Sequence, residues 1–119
     1  MGVHRFEDLD AYKLSRELRD IVIPLTYTQP LVRYGDLCDD LRRATRSAPS
    51  NIAEGFGRWH RRDFIRFLRI ACSSLNETKS HLGEVKVLNA MANDIRERCE
   101  ELASRAAAAT TAPIKSLGG

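Results

Sequence analysis

The sequence predicts an all-α protein: an antiparallel, up-down-up-down four-helix bundle, kinked at prolines. Three observations predict it. Apolar residues recur at alternating spacings of three and four over most of the chain. No segment alternates with the period of two that a half-buried strand needs. Gly and Pro number only 7 and 4, so tight turns are few and the connections between helices are short.

The first predicted helix spans about 9–28, with Ala11, Leu14, Leu18, Ile21 and Leu25 as its stripe. Pro24 removes a backbone donor and is expected to kink its last turn. The second spans about 36–56, with Leu37, Leu41, Ala44, Ala48 and Ile52 in phase. Pro49 interrupts it, leaving one kinked helix or two short ones with Ser47 as a cap. The apolar phase continues across Pro49, which favours one helix. Gly55 and Gly57 are expected to end it by adopting left-handed backbone.

The third helix, about 61–89, has the clearest pattern: Phe64, Leu68, Ala71, Leu75, Thr78, Leu82 and Val85. Small residues at Ala71, Ser73 and Ser74 allow a neighbouring helix close approach. The fourth, about 92–112, carries a weaker stripe of Ile95, Cys99, Leu102, Ala106 and Ala109. Thr110, Thr111 and Pro113 weaken it, so residues 113–119 read as a tail with Gly118 and Gly119 fraying.

The 119 residues, 43% hydrophobic and 29% charged, suit one globular domain with a modest core. No apolar run is long enough for a membrane span, and the acidic start lacks the apolar stretch of a signal peptide. A cytoplasmic location and no membrane contact are the expectation. Cys38, Cys72 and Cys99 are odd in number and widely spaced, which suits free thiols rather than a disulfide framework or zinc site.

Catalytic patterns are weak. His4, His60 and His81 are isolated, and neither a His-Glu-x-x-His nor a Gly-x-Ser-x-Gly pattern occurs. Glu54 and Glu77 fall on different helices without the Glu-x-x-His spacing of a di-iron bundle, so pairing with arginine is expected of each. Gly55-Phe56-Gly57 follows a helix rather than a strand and reads as a turn. A helix-turn-helix fails at Asp63 and Arg66, where its second helix needs apolar residues. The expectation is a non-enzymatic chain without metal or cofactor.

Charge is the informative feature. The net charge is +3, yet residues 42–69 hold eight arginines, no lysine and two acids, a local +6 that leaves −3 elsewhere. The eight are Arg42, Arg43, Arg46, Arg58, Arg61, Arg62, Arg66 and Arg69. Guanidinium forks suit phosphate oxygens. Arg62, Arg66 and Arg69 share a helical face. Arg61 and Arg62 open the third helix against its dipole, which hints at a use other than folding. Trp59 and His60 add stacking or amphipathic surface beside them. All eight are therefore candidate nucleic-acid contacts, with sequence-independent affinity for RNA or DNA. The alternatives are ion pairs with acids such as Asp36, Asp39 and Asp40, a protein scaffold binding an acidic partner or adjacent subunit, or a sequence-specific DNA regulator.

The segment Ser47-Ala48-Pro49-Ser50-Asn51-Ile52-Ala53-Glu54-Gly55-Phe56-Gly57-Arg58 resembles the signature of four-helix bundle proteins encoded by intervening sequences in bacterial 23S ribosomal RNA genes. Phe64 to Ala71, Ser74-Leu75-Asn76-Glu77, Phe6 to Leu9, Arg33-Tyr34-Gly35 and Leu41 to Ala44 extend the resemblance over roughly residues 6 to 90. It implies a bundle that assembles as a ring, a homopentamer. It also implies kinship with the accessory variability determinant of diversity-generating retroelements, a basic pentameric barrel that binds nucleic acid and associates with a reverse transcriptase. Arg42, Arg43 and Arg58 match basic positions of the pattern. Pro49, Ser50, Asn51, Glu54, Gly55, Gly57 and Glu77 match structural ones, with Asn51 expected in a polar contact, Glu54 in an ion pair and Gly55 in a turn. Asp39-Asp40, Arg46, Leu88-Asn89-Ala90 and the Ala-Thr-rich end depart from it.

Overall fold

The structure, a computed structural model, describes residues 4–119. These residues form four α-helices and no strand: α1 (Asp10–Leu25), α2 (Gly35–Phe56), α3 (Arg61–Leu88) and α4 (Asn93–Ser116), with short 3-10 turns at Phe6–Asp8 and Leu31–Arg33. Each long helix packs chiefly on two others, in the cycle α1–α2–α3–α4–α1. The bundle measures 44 × 21 × 21 Å. Its long axis is therefore one helix long, since α3 alone reaches about 42 Å at the usual rise per residue.

The α2 and α3 stripes bury as their periodicity predicts. Leu37, Leu41, Ala44, Ala48 and Ile52 face Leu68, Ala71, Leu75, Leu82 and Val85, all under a tenth exposed. α1 buries Ala11 and Leu18 of its expected stripe, but Ser15 and Val22 are buried beside them, whereas Leu14, Ile21 and Leu25 flank the core. Small Ser15 lies on the inward line, where larger residues flank it. α1 also ends at Leu25 rather than Thr28. Thr26 Oγ1 donates to the Ile23 carbonyl at 2.6 Å, and Thr28 Oγ1 to the Pro24 carbonyl at 3.0 Å. These hydroxyls satisfy the carbonyls a helix end leaves without partners.

α2 is one helix through Pro49, and Gly55 lies inside it rather than in a turn. Gly57 has ordinary right-handed backbone, φ −77°, so neither glycine supplies left-handed geometry. Gly55 serves packing instead. A Cβ placed there meets the Phe67 Cβ at 2.6 Å and the Phe64 ring at 3.2 Å. Left-handed backbone falls on Trp59, φ 66°, and Asn89, φ 52°. Asn89 closes α3: its own N–H reaches the Lys86 carbonyl at 3.1 Å, and the Ala90 N–H reaches that of Val85 at 3.0 Å.

The tail expected over 113–119 is instead helix and cap. α4 continues through Pro113 to Ser116. Thr110 and Thr111 donate their hydroxyls to the Ala106 and Ala107 carbonyls at 2.7 and 2.8 Å, which lets them sit in a packed helix. Ile114 is buried against Ile65 and Leu68 in a second apolar cluster. Gly118, φ 82°, and Gly119 then donate to the Lys115 and Ile114 carbonyls at 3.1 and 2.8 Å, the same closure as at Asn89.

Two glycines give opposite expectations. Gly55→Ala forces α2 off α3 and should cost about 1–3 kcal/mol in denaturant unfolding. Gly83 lies exposed in α3 with nothing within 4 Å of an added Cβ. Gly83→Ala should therefore gain up to about 1 kcal/mol from helix propensity. A stabilising Gly55→Ala would refute the close approach.

Candidate nucleic-acid interface

The eight arginines do not form one surface; acidic residues divide them. Arg42 is an internal brace. Its Nε donates to Thr26 Oγ1 at 2.8 Å, its Nη1 to Asp39 at 2.8 Å, and its guanidinium lies 4.2 Å from the Tyr27 ring centroid. Only 18% of its side chain is exposed. Arg43 forks onto Glu77 across α2 and α3, with Nη1 donating to Oε1 at 3.3 Å and Nη2 to Oε2, while Asp40 lies 3.5 Å from Nη2. Arg58 pairs with Glu54 at 3.0 Å. Of the acids that the sequence offered as alternatives, Asp39 and Asp40 thus engage Arg42 and Arg43, whereas Asp36 makes no ion pair among the described residues; Glu77 and Glu54 add to them at Arg43 and Arg58.

The α3 arginines differ. Arg61, Arg62, Arg66 and Arg69 are exposed and make no ion pair among the described residues. They line one groove of about 890 Å³ between the start of α3 and the end of α4. Ile65, Ile70 and Ser73 complete its α3 wall, with Leu117 to Gly119 opposite. Asp63 is its one acidic lining residue. Arg66 lies 4.6 Å from the Phe67 ring centroid and Arg58 lies 5.1 Å from it, so Phe67 links the groove to the α2–α3 turn. Arg46 is exposed and makes no ion pair among the described residues, but it lines a separate depression of about 380 Å³ with Asp39, Arg42, Arg43, Ser47 and Ser50.

The structural-motif residues sort clearly. Asn51 Nδ2 donates to the Ser47 carbonyl at 2.8 Å and to Ser47 Oγ at 3.0 Å, and Ser74 Oγ donates to Ser47 Oγ at 2.7 Å. This is a polar joint between α2 and α3. Pro49 is buried and Ser50 exposed. Sequence reasoning missed buried Arg96, whose Nη1 donates to Glu100 at 2.9 Å, and the ion pair of Arg98 with Glu17 at 2.5 Å, which ties α4 to α1. The i to i+4 spacing of Arg96 and Glu100 was the available signal for the first.

No group of three or more His, Cys, Asp or Glu is placed to hold a metal ion among the described residues, and none of their helices is long and apolar enough to cross a membrane. Burial pushes the Cys99 thiol up to about 11 and raises that of Cys38, so both are protonated near neutrality.

The Arg43 hydrogen bond, assisted by its charge and by His81, holds the Glu77 carboxyl below its ordinary range. A lowered folded-state value stabilises the fold above the ordinary carboxylate pKa and loses that contribution as pH falls through the lowered one. Glu77→Gln should therefore lower the Tm at neutral pH, and its deficit should close as melts are repeated toward acid. A deficit that is independent of pH would contradict this role for the ion pair.

A solved structure of a protein of unknown function from the S23 ribosomal protein family of Bacteroides thetaiotaomicron has the same fold. It superposes with a TM-score of 0.80 at 19% identity, over 88% of this chain and 98% of that one. No curated protein sequence matches the chain. The model of the 23S rRNA-intervening sequence protein family matches residues 7–111, well into α4 and beyond the span of resemblance visible by eye. By that match the chain belongs to the 23S rRNA-intervening sequence protein family.

Proposed function

We propose that this chain is a non-enzymatic nucleic-acid-binding accessory protein that holds phosphates in the α3 groove. One observation carries the reading: Arg61, Arg62, Arg66 and Arg69 converge on one groove without an ion pair to neutralise them among the described residues. Like charges so gathered destabilise a fold unless an anion neutralises them. Phosphate oxygens match their planar forks, and backbone contact of this kind carries no base readout.

The fuller form of the proposal is an antiparallel bundle that self-associates into a homopentamer. The pairings of Arg43 with Glu77 and Ser47 with Ser74 support opposed directions for α2 and α3, since numbers rise on one helix where they fall on the other. A ring would repeat the groove and raise avidity without new contacts. The resemblance to the accessory variability determinant supports a reverse transcriptase as a partner sharing the same nucleic acid.

The test is a titration of labelled RNA and duplex DNA across a salt series, with native mass spectrometry for subunit number. Replacing Arg62, Arg66 and Arg69 with Gln should weaken binding for every sequence and reduce the log–log salt slope by about one per arginine. Arg42→Gln should lower the Tm and leave that slope unchanged. Unaltered affinity in the triple variant would overturn the reading, and loss for one sequence alone would point to base readout instead.

A further inference from the structure

Trp59 is the only tryptophan in the chain, and it is 89% exposed in the turn between α2 and α3. Its backbone is left-handed, φ 66°, a conformation in which a bulky residue is an outlier. Folding opposes this residue twice over. An indole in water forgoes burial, and glycine would suit the backbone better. Yet the glycine nearby, Gly57, sits at a position of ordinary backbone. Nothing in the packing of the described residues repays either cost.

The surroundings indicate what does. Two residues along the chain, Arg61 opens the groove, so the two Cα atoms lie at most roughly 7 Å apart. Arg62 follows, and Arg58 precedes Trp59. An exposed aromatic side chain thus stands two residues before the first arginine of a cationic groove that it does not itself line. A partner that fits both must be anionic and must offer a π-face within one residue's reach of its charge. A nucleotide does so. An acidic peptide supplies charge without a required π-face. Within an uninterrupted duplex the base faces are covered by their neighbours, whereas loops, bulges and ends present them.

We propose that Trp59 stacks on an unpaired base of a nucleic acid whose phosphates occupy the Arg61–Arg62–Arg66–Arg69 groove, so that single-stranded segments are the preferred ligand. This rests on the groove binding nucleic acid, and deepens that reading by naming the form of strand. The stacking is tolerant of base identity, because every base has a π-face.

Selective excitation of tryptophan reports on this residue alone. The full chain is titrated with an oligothymidylate and with a fully paired duplex of equal length, while anisotropy of the labelled strand follows binding. The oligothymidylate should quench the emission by half or more and saturate together with the anisotropy; the duplex should bind more weakly with little quenching. Trp59→Ala should weaken single-strand binding roughly tenfold and duplex binding less than twofold, and Trp59→Phe should restore most of the loss. Trp59→Gly should bind like Trp59→Ala while its Tm stays level or rises, which separates binding from folding. Binding with unchanged emission and unchanged Trp59→Ala affinity overturns the stacking and leaves the arginine groove standing. Binding of neither strand overturns both. Emission of the free protein that shifts to the blue as its concentration rises places Trp59 against a second copy and overturns the proposal.

Discussion

The approach of α2 to α3 at Gly55 is the constraint on which the rest of the molecule depends. A single added carbon there would lie 2.6 Å from the Phe67 Cβ, so α3 packs too close to α2 to admit a side chain at this position. That contact sets the rotation of α3. With Phe67 against α2, Leu68, Ala71 and Leu75 turn into the core, and Arg62, Arg66 and Arg69 turn out. Further along the same seam, the hydroxyl pair of Ser47 and Ser74 and the fork of Arg43 on Glu77 hold the register. The position of the candidate interface is thus a consequence of packing: the face of α3 that α2 and α4 leave uncovered is the face that carries the arginines.

Within that frame the carboxylates decide what each arginine does. Asp39, Asp40, Glu54 and Glu77 all engage arginines on α2 or in the turn after it. Arg42 is the most buried of these and spans from α2 to the end of α1, where loss of its hydrogen bonds would leave the Thr26 region unsupported. α3 brings only Asp63 to the groove, one acidic side chain against four arginines. Opening a helix with Arg61 and Arg62 also sets their charge against the positive end of its dipole. The groove is the place where the fold tolerates electrostatic repulsion, and that excess is what an anionic ligand would relieve.

Much of this was legible in the sequence. The stripes of α2 and α3 are legible because their apolar residues are regularly spaced, with Phe64 alone of them half-buried, and continuity across Pro49 follows from the unbroken phase. In α1 the stripe is legible at Ala11 and Leu18 but not between and beyond them, because one inward position belongs to Ser15, which no hydropathy pattern marks. The end of α4 was lost because Thr110, Thr111, Pro113 and two glycines all resemble a frayed tail. The hydroxyl bonds to i−4 carbonyls, the anchor at Ile114 and the glycine closure that reverse this are three-dimensional facts. Gly55 reads as a turn in the sequence because glycine near a helix end usually is one, whereas close approach depends on a partner helix. The arginine cluster was legible as a count but not as two populations. Arg43 and Glu77 are 34 residues apart, so only the packed bundle shows that Arg43 is ion-paired while Arg66 makes no ion pair among the described residues.

The division of the arginines is the central claim, and the most direct measurement is the exchange of guanidinium protons by NMR, with each arginine's Nε–H resonance assigned. Arg42 Nε–H, which donates to Thr26 inside the bundle, should exchange slowly and keep its shift when a single-stranded oligonucleotide is added. Arg61, Arg62, Arg66 and Arg69 should exchange rapidly in the free protein, then shift and slow together on addition. Protection spread evenly over all eight arginines, or a ligand response centred on Arg42 and Arg43, would contradict the account.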